Sequence, residues 1–309
     1  MTRIAALMGL AVSFCGLAAA SGANAERTRI EEWRAQRLAD LTGPQGWLNL
    51  VGLFWLDSGE NTFGRAASNR IHLDHPALAE LAGSFYVDSS GHTRFLARAA
   101  SGITHDGQRV AAIDMVPDGR GLPTVLESGP LRFLLIARAG KVGVRIRDLD
   151  SPRLRQFVPI EYFPIDAGWA IQARFEAYEP PHHLRILNIL GLEEDKVSPG
   201  ALVFRRDGHE WRLETILQSP QDTTLFVMFT DGTTGKETYG GGRYLFVPLP
   251  KPAGPGPGSV LLDFNEAVNP PCAFNDFAVC PLPPYQNRLT LRIESGEKAH
   301  GNGASDRHP

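Results

Sequence analysis

Apolar residues recur with helical spacing near the start of the chain. Within residues 26–41, four apolar side chains share one face of a helix: Ile30, Trp33, Leu38 and Leu41. Arg and Glu occupy most of the other positions, and Thr42-Gly43-Pro44 follows directly. Since Gly and Pro commonly terminate helices, we predict one N-terminal helix over residues 26–41.

After this helix the pattern is that of short strands separated by turns. Residues 169–177 alternate apolar and polar positions, which is typical of a half-buried strand. Hairpins are expected for residues 131–148 around Ala139-Gly140-Lys141, for 203–217 around Asp207-Gly208, and for 224–247. Further strands are expected at 259–264 and 288–293. The spacing predicts a mainly β fold, an antiparallel β-sandwich or barrel-like body with the helix at its N-terminal end.

Two segments have a less regular pattern. Residues 47–56 carry two Trp and one Phe, and we interpret them as a buried strand pair broken near Gly52. Residues 184–192 are the one further candidate for a helix. Pro180-Pro181 is a weak candidate boundary, but we do not favour two independent domains over one continuous β body. We therefore predict a single β-rich domain over residues 26–297, followed by a flexible tail at 298–309.

The N-terminal 25 residues have the pattern of a secretory signal peptide. Arg3 supplies a short positive region, Ile4 to Ala20 is apolar, and Ala23-Asn24-Ala25 matches the small-x-small site of signal peptidase. Phe14 precedes Cys15 where a lipoprotein signal requires a small residue. The sequence predicts cleavage before Glu26 and a periplasmic or secreted protein with no stable membrane span.

The charge balance and the cysteines indicate which partners and which compartment to expect. The 309 residues include 31 Lys+Arg and 34 Asp+Glu, giving a formal net charge of −3. Nucleic-acid binders usually show a basic balance, so we expect no nucleic-acid partner. Cleavage would leave Cys272 and Cys280 as the two cysteines of an exported chain, and we expect a disulfide between them. Two free thiols or a nucleophilic cysteine are the alternatives.

The common catalytic signatures are absent. The chain has no G-x-S-x-G, no P-loop, no G-x-G-x-x-G and no H-E-x-x-H. His72 and His75 flank Asp74, but a solvated turn explains them better than a metal site. We predict no metal and no cofactor.

Residues 53–75 resemble part of the forkhead-associated fold. Phe63-Gly64-Arg65 and the Asn69-x-Ile71-x-Leu73 pattern fit its spacing. In that fold a Gly-Arg after a turn binds phosphothreonine. The Ser-x-x-His expected to follow is replaced by residues 76–80, PALAE, so the resemblance implies at most a similar hairpin geometry.

The densest motifs lie in residues 229–297. They include Thr238-Tyr239 with Gly242-Arg243, Asp263-Phe264-Asn265, Asn269-Pro270-Pro271-Cys272, residues 280–284 (CPLPP) and Asn287-Arg288-Leu289. With Trp33-Arg34, residues 46–48 (GWL), Gly52-Leu53 and Gly296-Glu297, they resemble the bacterial and archaeal family named domain of unknown function 1684. This resemblance spans nearly the whole mature chain and implies no established chemistry.

The same loops contain the candidate ligand-binding residues. Gly240 to Gly242 allow positive φ and close approach, and Arg243 is able to bind a carboxylate or phosphate through two hydrogen bonds. The complete candidate set is Tyr239, Gly242, Arg243, Asp263, Asn265, Asn269 and Asn287. Polar side chains on Pro-stiffened loops suit a small-molecule site, so we predict binding of a small polar or anionic molecule through loops 231–288.

Two alternatives to ligand binding remain open at this point. A hydrolase would use Asp231 or Asp263 as acid or base, with Tyr239 and Arg243 stabilising charge. A structural envelope protein would need no ligand. The loop residues also have an architectural interpretation, in which Asp231 with Thr233 and Thr234 forms a side-chain-capped turn and Arg243 pairs with Asp263 inside the protein.

Export has a direct test. Mass spectrometry of protein from its native host should find a mature N-terminus at Glu26 or within a few residues of it, because the cleavage motif ends at Ala25. Cytosolic protein that retains Met1 would contradict the prediction and would weaken the expectation of a disulfide.

Overall fold

The computed structural model describes residues 13–250 and 258–301, with the backbone alone for residues 13–21 and 23. Most of the predicted signal peptide's charged and apolar regions (residues 1–12), residues 251–257 of the Pro/Gly-rich loop and the tail from residue 302 lie outside this range. The described chain is mainly β, with antiparallel sheets and one long N-terminal helix, as predicted. None of its sheets closes into a barrel.

Helix α1 (Ser13–Thr42) includes the predicted helix and ends at the predicted stop. Ile30 and Leu41 are buried, but Leu38 is 41% exposed, so its assignment to the packed face is wrong. Arg34 and Arg37 face inward instead, at the i+4 and i+7 positions from Ile30. The Arg34 guanidinium lies 4.1 Å from the centre of the Tyr162 ring, and Arg37 binds Glu297.

The first eleven strands form two sheets. They are β1 (Leu50–Trp55), β2 (Gly59–Gly64), β3 (Ile71–His72), β4 (Gly83–Val87), β5 (Thr93–Ala97), β6 (Thr104–His105), β7 (Gln108–Arg109), β8 (Ala112–Met115), β9 (Leu126–Ser128), β10 (Leu131–Arg138) and β11 (Lys141–Asp148). A six-stranded sheet has the order β1-β11-β10-β9-β6-β7, and a five-stranded sheet has the order β3-β2-β4-β5-β8. The predicted β10–β11 hairpin is confirmed.

Their inner faces share one hydrophobic core. Four phenylalanine rings lie at its centre, with adjacent ring centroids 4.7–6.4 Å apart: Phe63, Phe85, Phe95 and Phe133. Val144 and Ile146 reach this core from β11, so the intervening residues of β11 point to the opposite face of the sheet.

A short helix, α2 (Pro152–Arg155), leads into the second set of strands. These are β12 (Ala170–Leu187), β13 (Glu193–Arg206), β14 (His209–Glu214), β15 (Thr224–Phe229), β16 (Arg243–Pro248) and β17 (Gly258–Asp263). Four of them form a sheet of order β14-β13-β12-β17, and β15 pairs with β16 as a two-stranded ribbon. The predicted hairpins at 203–217 and 224–247 are confirmed.

This second part has its own core, drawn from residues 169–293. Leu225, Val227 and Phe229 of β15 enter it together with Leu245 and Val247 of β16. Phe226, Met228 and Tyr244 point to the other face of the ribbon and join a smaller cluster with Ile186, Ile216 and Val268. The ribbon is therefore buried on both faces, as its uninterrupted apolar sequence requires.

Three local predictions are wrong. Residues 184–192 form no helix, because Leu184 to Leu187 continue β12 in register with β13. Residues 47–56 contain one strand, β1, with an irregularity between Leu50 and Gly52. Residues 288–293 form no strand and follow the ribbon through an isolated bridge between Thr230 and Arg288.

Within residues 13–250 and 258–301, no helix has the length and apolarity that a membrane span requires. The weak boundary at Pro180-Pro181 falls inside β12, where the pairing with β13 is irregular.

The predicted disulfide between Cys272 and Cys280 is present, and both cysteines are buried. Replacing both cysteines by Ala should lower the free energy of unfolding by about 2–3 kcal/mol, because the unfolded chain regains the entropy of a small closed loop. Denaturant unfolding without reductant measures the loss. Equal stability of the variant and the parent would contradict a bonded pair.

Candidate functional site

Arg243, the predicted anion-binding residue, is buried at the start of β16. Its Nη2 donates to the Asp231 carboxylate and, at 2.9 Å, to the Ile293 carbonyl, while Nη1 donates to the Ser295 carbonyl. Burial lowers the pKa of Arg243 and the Asp231 carboxylate opposes that shift. The expected pairing of Arg243 with Asp263 is wrong, because Asp231 is the partner.

Asp231 uses its other oxygen for a local turn. Oδ1 accepts hydrogen bonds from the Thr233 backbone N–H at 2.7 Å and from its hydroxyl, while the Asp231 N–H donates to Thr234 Oγ1 at 3.0 Å. The predicted side-chain-capped turn is confirmed. Both carboxylate oxygens of Asp231 are thus engaged inside the protein.

Asp263 and Asn265 hold α1 and the segment before β12. Asp263 Oδ2 accepts from Arg29 of α1, and Oδ1 accepts from the Asn265 backbone N–H at 2.9 Å. The Asn265 amide donates to the Asp166 carbonyl and accepts from the Asp166 N–H and the Ser295 hydroxyl. This arrangement fixes the end of β17 and leaves neither side chain facing a cavity described below.

Asn287 is likewise satisfied by backbone groups. Its Nδ2 donates to the carbonyls of Glu214 and Met228 at 2.9 and 2.8 Å, and its Oδ1 accepts from the Glu214 N–H at 2.7 Å. These bonds connect β14 to β15 through the 285–287 turn.

Gly242 and Tyr239 have packing roles. Gly242 has φ +84°, and a Cβ there would lie 2.6 Å from the Phe229 carbonyl oxygen and 2.7 Å from the Pro283 ring. Only Gly fits this turn, as the sequence indicated. Tyr239 packs against the disulfide with Ala278.

Asn269 differs from the other predicted residues. It is 1% exposed, and its Nδ2 donates to the Lys298 carbonyl at 2.7 Å. That bond fixes the orientation of the amide, and Oδ1 then finds no partner among the described residues. Asn269 lines a cavity of about 320 Å³.

The floor of this cavity is the outer face of the β15–β16 ribbon. Phe226 and Met228 of β15 and Tyr244 and Phe246 of β16 line it, because alternate residues of each strand point away from the main core. Burial raises the pKa of Tyr244, whose hydroxyl donates to the Pro281 carbonyl at 2.6 Å. The floor is therefore mainly apolar and uncharged.

Asn188, which also lines this cavity, contributes a second unpartnered amide. Asn188 follows β12 and is 6% exposed, and its Oδ1 accepts from the N–H groups of Leu190 and Leu192 at 2.9 and 3.2 Å. With Oδ1 committed to this turn, Nδ2 is the free atom, and it has no partner among the described residues. We call the space the Asn188–Asn269 cavity.

Charged side chains at its edge are paired. Arg37 Nε donates to Glu297 at 2.9 Å, Lys196 lies 2.7 Å from Glu194, and Arg138 is held by Asp118. Glu297 is fully buried, and burial raises its pKa although Arg37 and the Asn269 N–H oppose the shift.

A second cavity of about 310 Å³ lies along the other side of the disulfide. Cys272, Ala273 and Tyr239 line it, whereas Cys280 and Ala278 line the Asn188–Asn269 cavity. The predicted loops therefore do not converge on one pocket. No group of three or more His, Cys, Asp or Glu residues in the described ranges is arranged to hold a metal ion.

Sequence reasoning missed Asn188, Glu297 and the floor residues. Asn188 was placed in a predicted helix, and Glu297 carries no local signal of burial. The floor had a signal, since the run LFVMF at residues 225–229 has apolar residues at both odd and even positions, which requires cover on both faces.

The family model described as "Protein of unknown function (DUF1684)" matches residues 155–298. An uncharacterized protein of Haloarcula marismortui, solved by NMR, is 32% identical over a region covering 48% of this chain and 80% of that chain, with a TM-score of 0.40. The chain belongs to the DUF1684 family.

The DUF1684 match covers the second core, the disulfide and nearly the whole Asn188–Asn269 cavity, and it begins after the motifs at Trp33, Gly46 and Gly52. The FHA1 domain of yeast Rad53 is 13% identical over 38% of this chain and 68% of that chain, with a TM-score of 0.16. Both TM-scores are low, so no structural feature is transferred from either protein. No curated protein matches the chain.

The buried Arg243–Asp231 pair predicts a specific pattern of stability. Arg243→Ala should cost about 3–5 kcal/mol, because it leaves the Asp231 carboxylate buried without a cation. The Arg243→Ala/Asp231→Asn double variant should recover part of that loss, whereas adding Asp263→Asn should recover none. Urea unfolding of the single and double variants measures the coupling. A rescue by Asp263→Asn that Asp231→Asn fails to give would contradict the pairing.

Proposed function

We propose that this protein binds a small molecule with a mainly apolar body and hydrogen-bonding groups in the Asn188–Asn269 cavity. One observation carries the proposal: two residues that line the same cavity have buried amide atoms without a partner among the described residues, a donor on Asn188 and an acceptor on Asn269. A buried polar group without a partner costs about 1–3 kcal/mol, so a ligand supplying both partners would gain that free energy.

The volume and the lining of the Asn188–Asn269 cavity also support the binding of a small molecule. A volume of about 320 Å³ lies in the range of small-molecule sites, which combine an apolar lining with a few placed polar groups. The floor comes from paired strands, and part of the lining comes from a loop closed by a disulfide. A preformed site of this kind avoids much of the ordering cost of binding.

Binding explains the site better than the alternative hydrolase. Asp231, Asp263 and Arg243 are bonded within the protein and line none of the cavities described. Glu194 is the carboxylate that lines the Asn188–Asn269 cavity, and it is paired with Lys196. A purely structural protein would gain nothing from the two unpartnered amides.

The proposal includes export. The predicted signal peptide would place the site in the periplasm or outside the cell, and the Cys272–Cys280 disulfide supports an oxidising compartment.

Two alanines in the disulfide loop give a matched test. Ala278 lines the Asn188–Asn269 cavity and Ala273 lines the second cavity. With N-phenyl-1-naphthylamine, an uncharged fluorescent probe, Ala278→Phe should weaken binding at least about tenfold because its ring occupies the cavity. Ala273→Phe should bind as the parent does, and Met228→Trp, from the floor, should act like Ala278→Phe.

Fluorescence titration gives the affinities, and thermal melts without probe establish that each variant is folded. Undiminished binding by folded Ala278→Phe and Met228→Trp would contradict the proposal, as would binding lost only in Ala273→Phe.

A further inference from the structure

Two arginines are buried on the outer face of the six-stranded sheet. Val144 and Ile146 of β11 point into the phenylalanine core, so Arg145 and Arg147 point the other way. Each arginine is 6% exposed. Burying a guanidinium is costly unless an anion accompanies it.

No acid in the described ranges forms an ion pair with either arginine. Arg147 donates to the Gly46 carbonyl and, at 2.8 Å, to Asn49 Oδ1. The Arg145 guanidinium makes no hydrogen bond to a described residue, and the Nε atoms of both arginines have no partner there. Burial lowers the pKa of each to about 10, so both stay protonated at neutral pH.

The acid that acts on Arg145 is already engaged. Asp118 binds Arg138 through two hydrogen bonds of 2.8 and 2.7 Å. Asp118 is therefore committed to Arg138, and neither Arg145 nor Arg147 has an ion-pair partner among the described residues. At the other edges of the cavity, Arg37 and Lys196 are each matched by one acid.

Trp47 connects this positive cluster to the Asn188–Asn269 cavity. The Cζ atoms of Arg145 and Arg147 lie 5.3 and 5.9 Å from the centre of its ring, and Trp47 itself lines the cavity together with Arg138. The Trp47–Arg138 end of the cavity therefore borders uncompensated positive charge. Charge–charge attraction is stronger in a poorly hydrated protein interior than in water.

We propose that the natural ligand is an organic anion whose carboxylate, sulfonate or phosphate group lies at the Trp47–Arg138 end, with its apolar body on the β15–β16 floor. The anion supplies the counter-charge that Arg145 and Arg147 lack. This inference rests on the proposed function, because it assigns the ligand class of the same cavity.

A pair of dyes isolates the charge. 1-Anilinonaphthalene-8-sulfonate (ANS) and N-phenyl-1-naphthylamine share their ring systems and differ by the sulfonate. The parent protein should bind ANS about tenfold more tightly. Arg145→Met should lower ANS affinity about tenfold and change the affinity for the uncharged dye less than twofold.

The free Arg145→Met protein should melt at or above the temperature of the parent, because Met replaces an uncompensated buried charge with apolar volume. Arg94→Met is the control, since Arg94 lies exposed on β5 of the other sheet and its loss changes net charge equally. It should leave both affinities unchanged. Arg145→Leu repeats the test with a different side-chain shape.

The outcomes separate the two proposals. If the uncharged dye binds in the cavity and ANS binds no better, the ligand is not selected by charge and this inference fails while the proposed function stands. If Arg145→Met and Arg145→Leu weaken both dyes equally, Arg145 shapes the cavity and the inference also fails. If neither dye binds the parent protein, both proposals are contradicted.

Discussion

The buried ion pair between Arg243 and Asp231 is the interaction on which the second half of the molecule depends. It joins the start of β16 to the turn after β15, and the same guanidinium holds the carbonyls of Ile293 and Ser295. The ribbon therefore keeps a fixed position while one face packs on the main core. Its other face is then available as a rigid cavity floor.

Complete hydrogen bonding distinguishes the structural residues from the candidate ligand contacts. Asn265 and Asn287 use both ends of their amides on protein groups, whereas Asn188 and Asn269, which line the cavity, each leave one buried amide atom without a described partner. Burial makes this difference energetically important, since unpartnered polar groups are costly away from water. The same cost applies to Arg145 on the six-stranded sheet, whose buried Nε has no partner among the described residues.

The sequence predicted the β architecture, the end of α1, three hairpins, the disulfide and the turn at Asp231, because each depends on neighbours within a few residues. The sequence could not show that Asn269 keeps an unpartnered amide atom whereas Asn287 does not. The partner of Asn269 is Lys298 and the partners of Asn287 are Glu214 and Met228, all of them far along the chain. The errors have the same origin. Arg37 replaces Leu38 on the packed face of α1 because Glu297, 260 residues away, supplies its counter-charge.

The central claim is that the unpartnered amides of the Asn188–Asn269 cavity are ligand contacts, and side-chain amide NMR tests it most directly. During an ANS titration, the Asn188 NH₂ resonances should shift as the dye enters the cavity that Asn188 lines, while those of Asn287, bonded to the Glu214 and Met228 carbonyls, should remain in place. An unchanged Asn188 signal at ANS concentrations where fluorescence shows saturation would contradict the account.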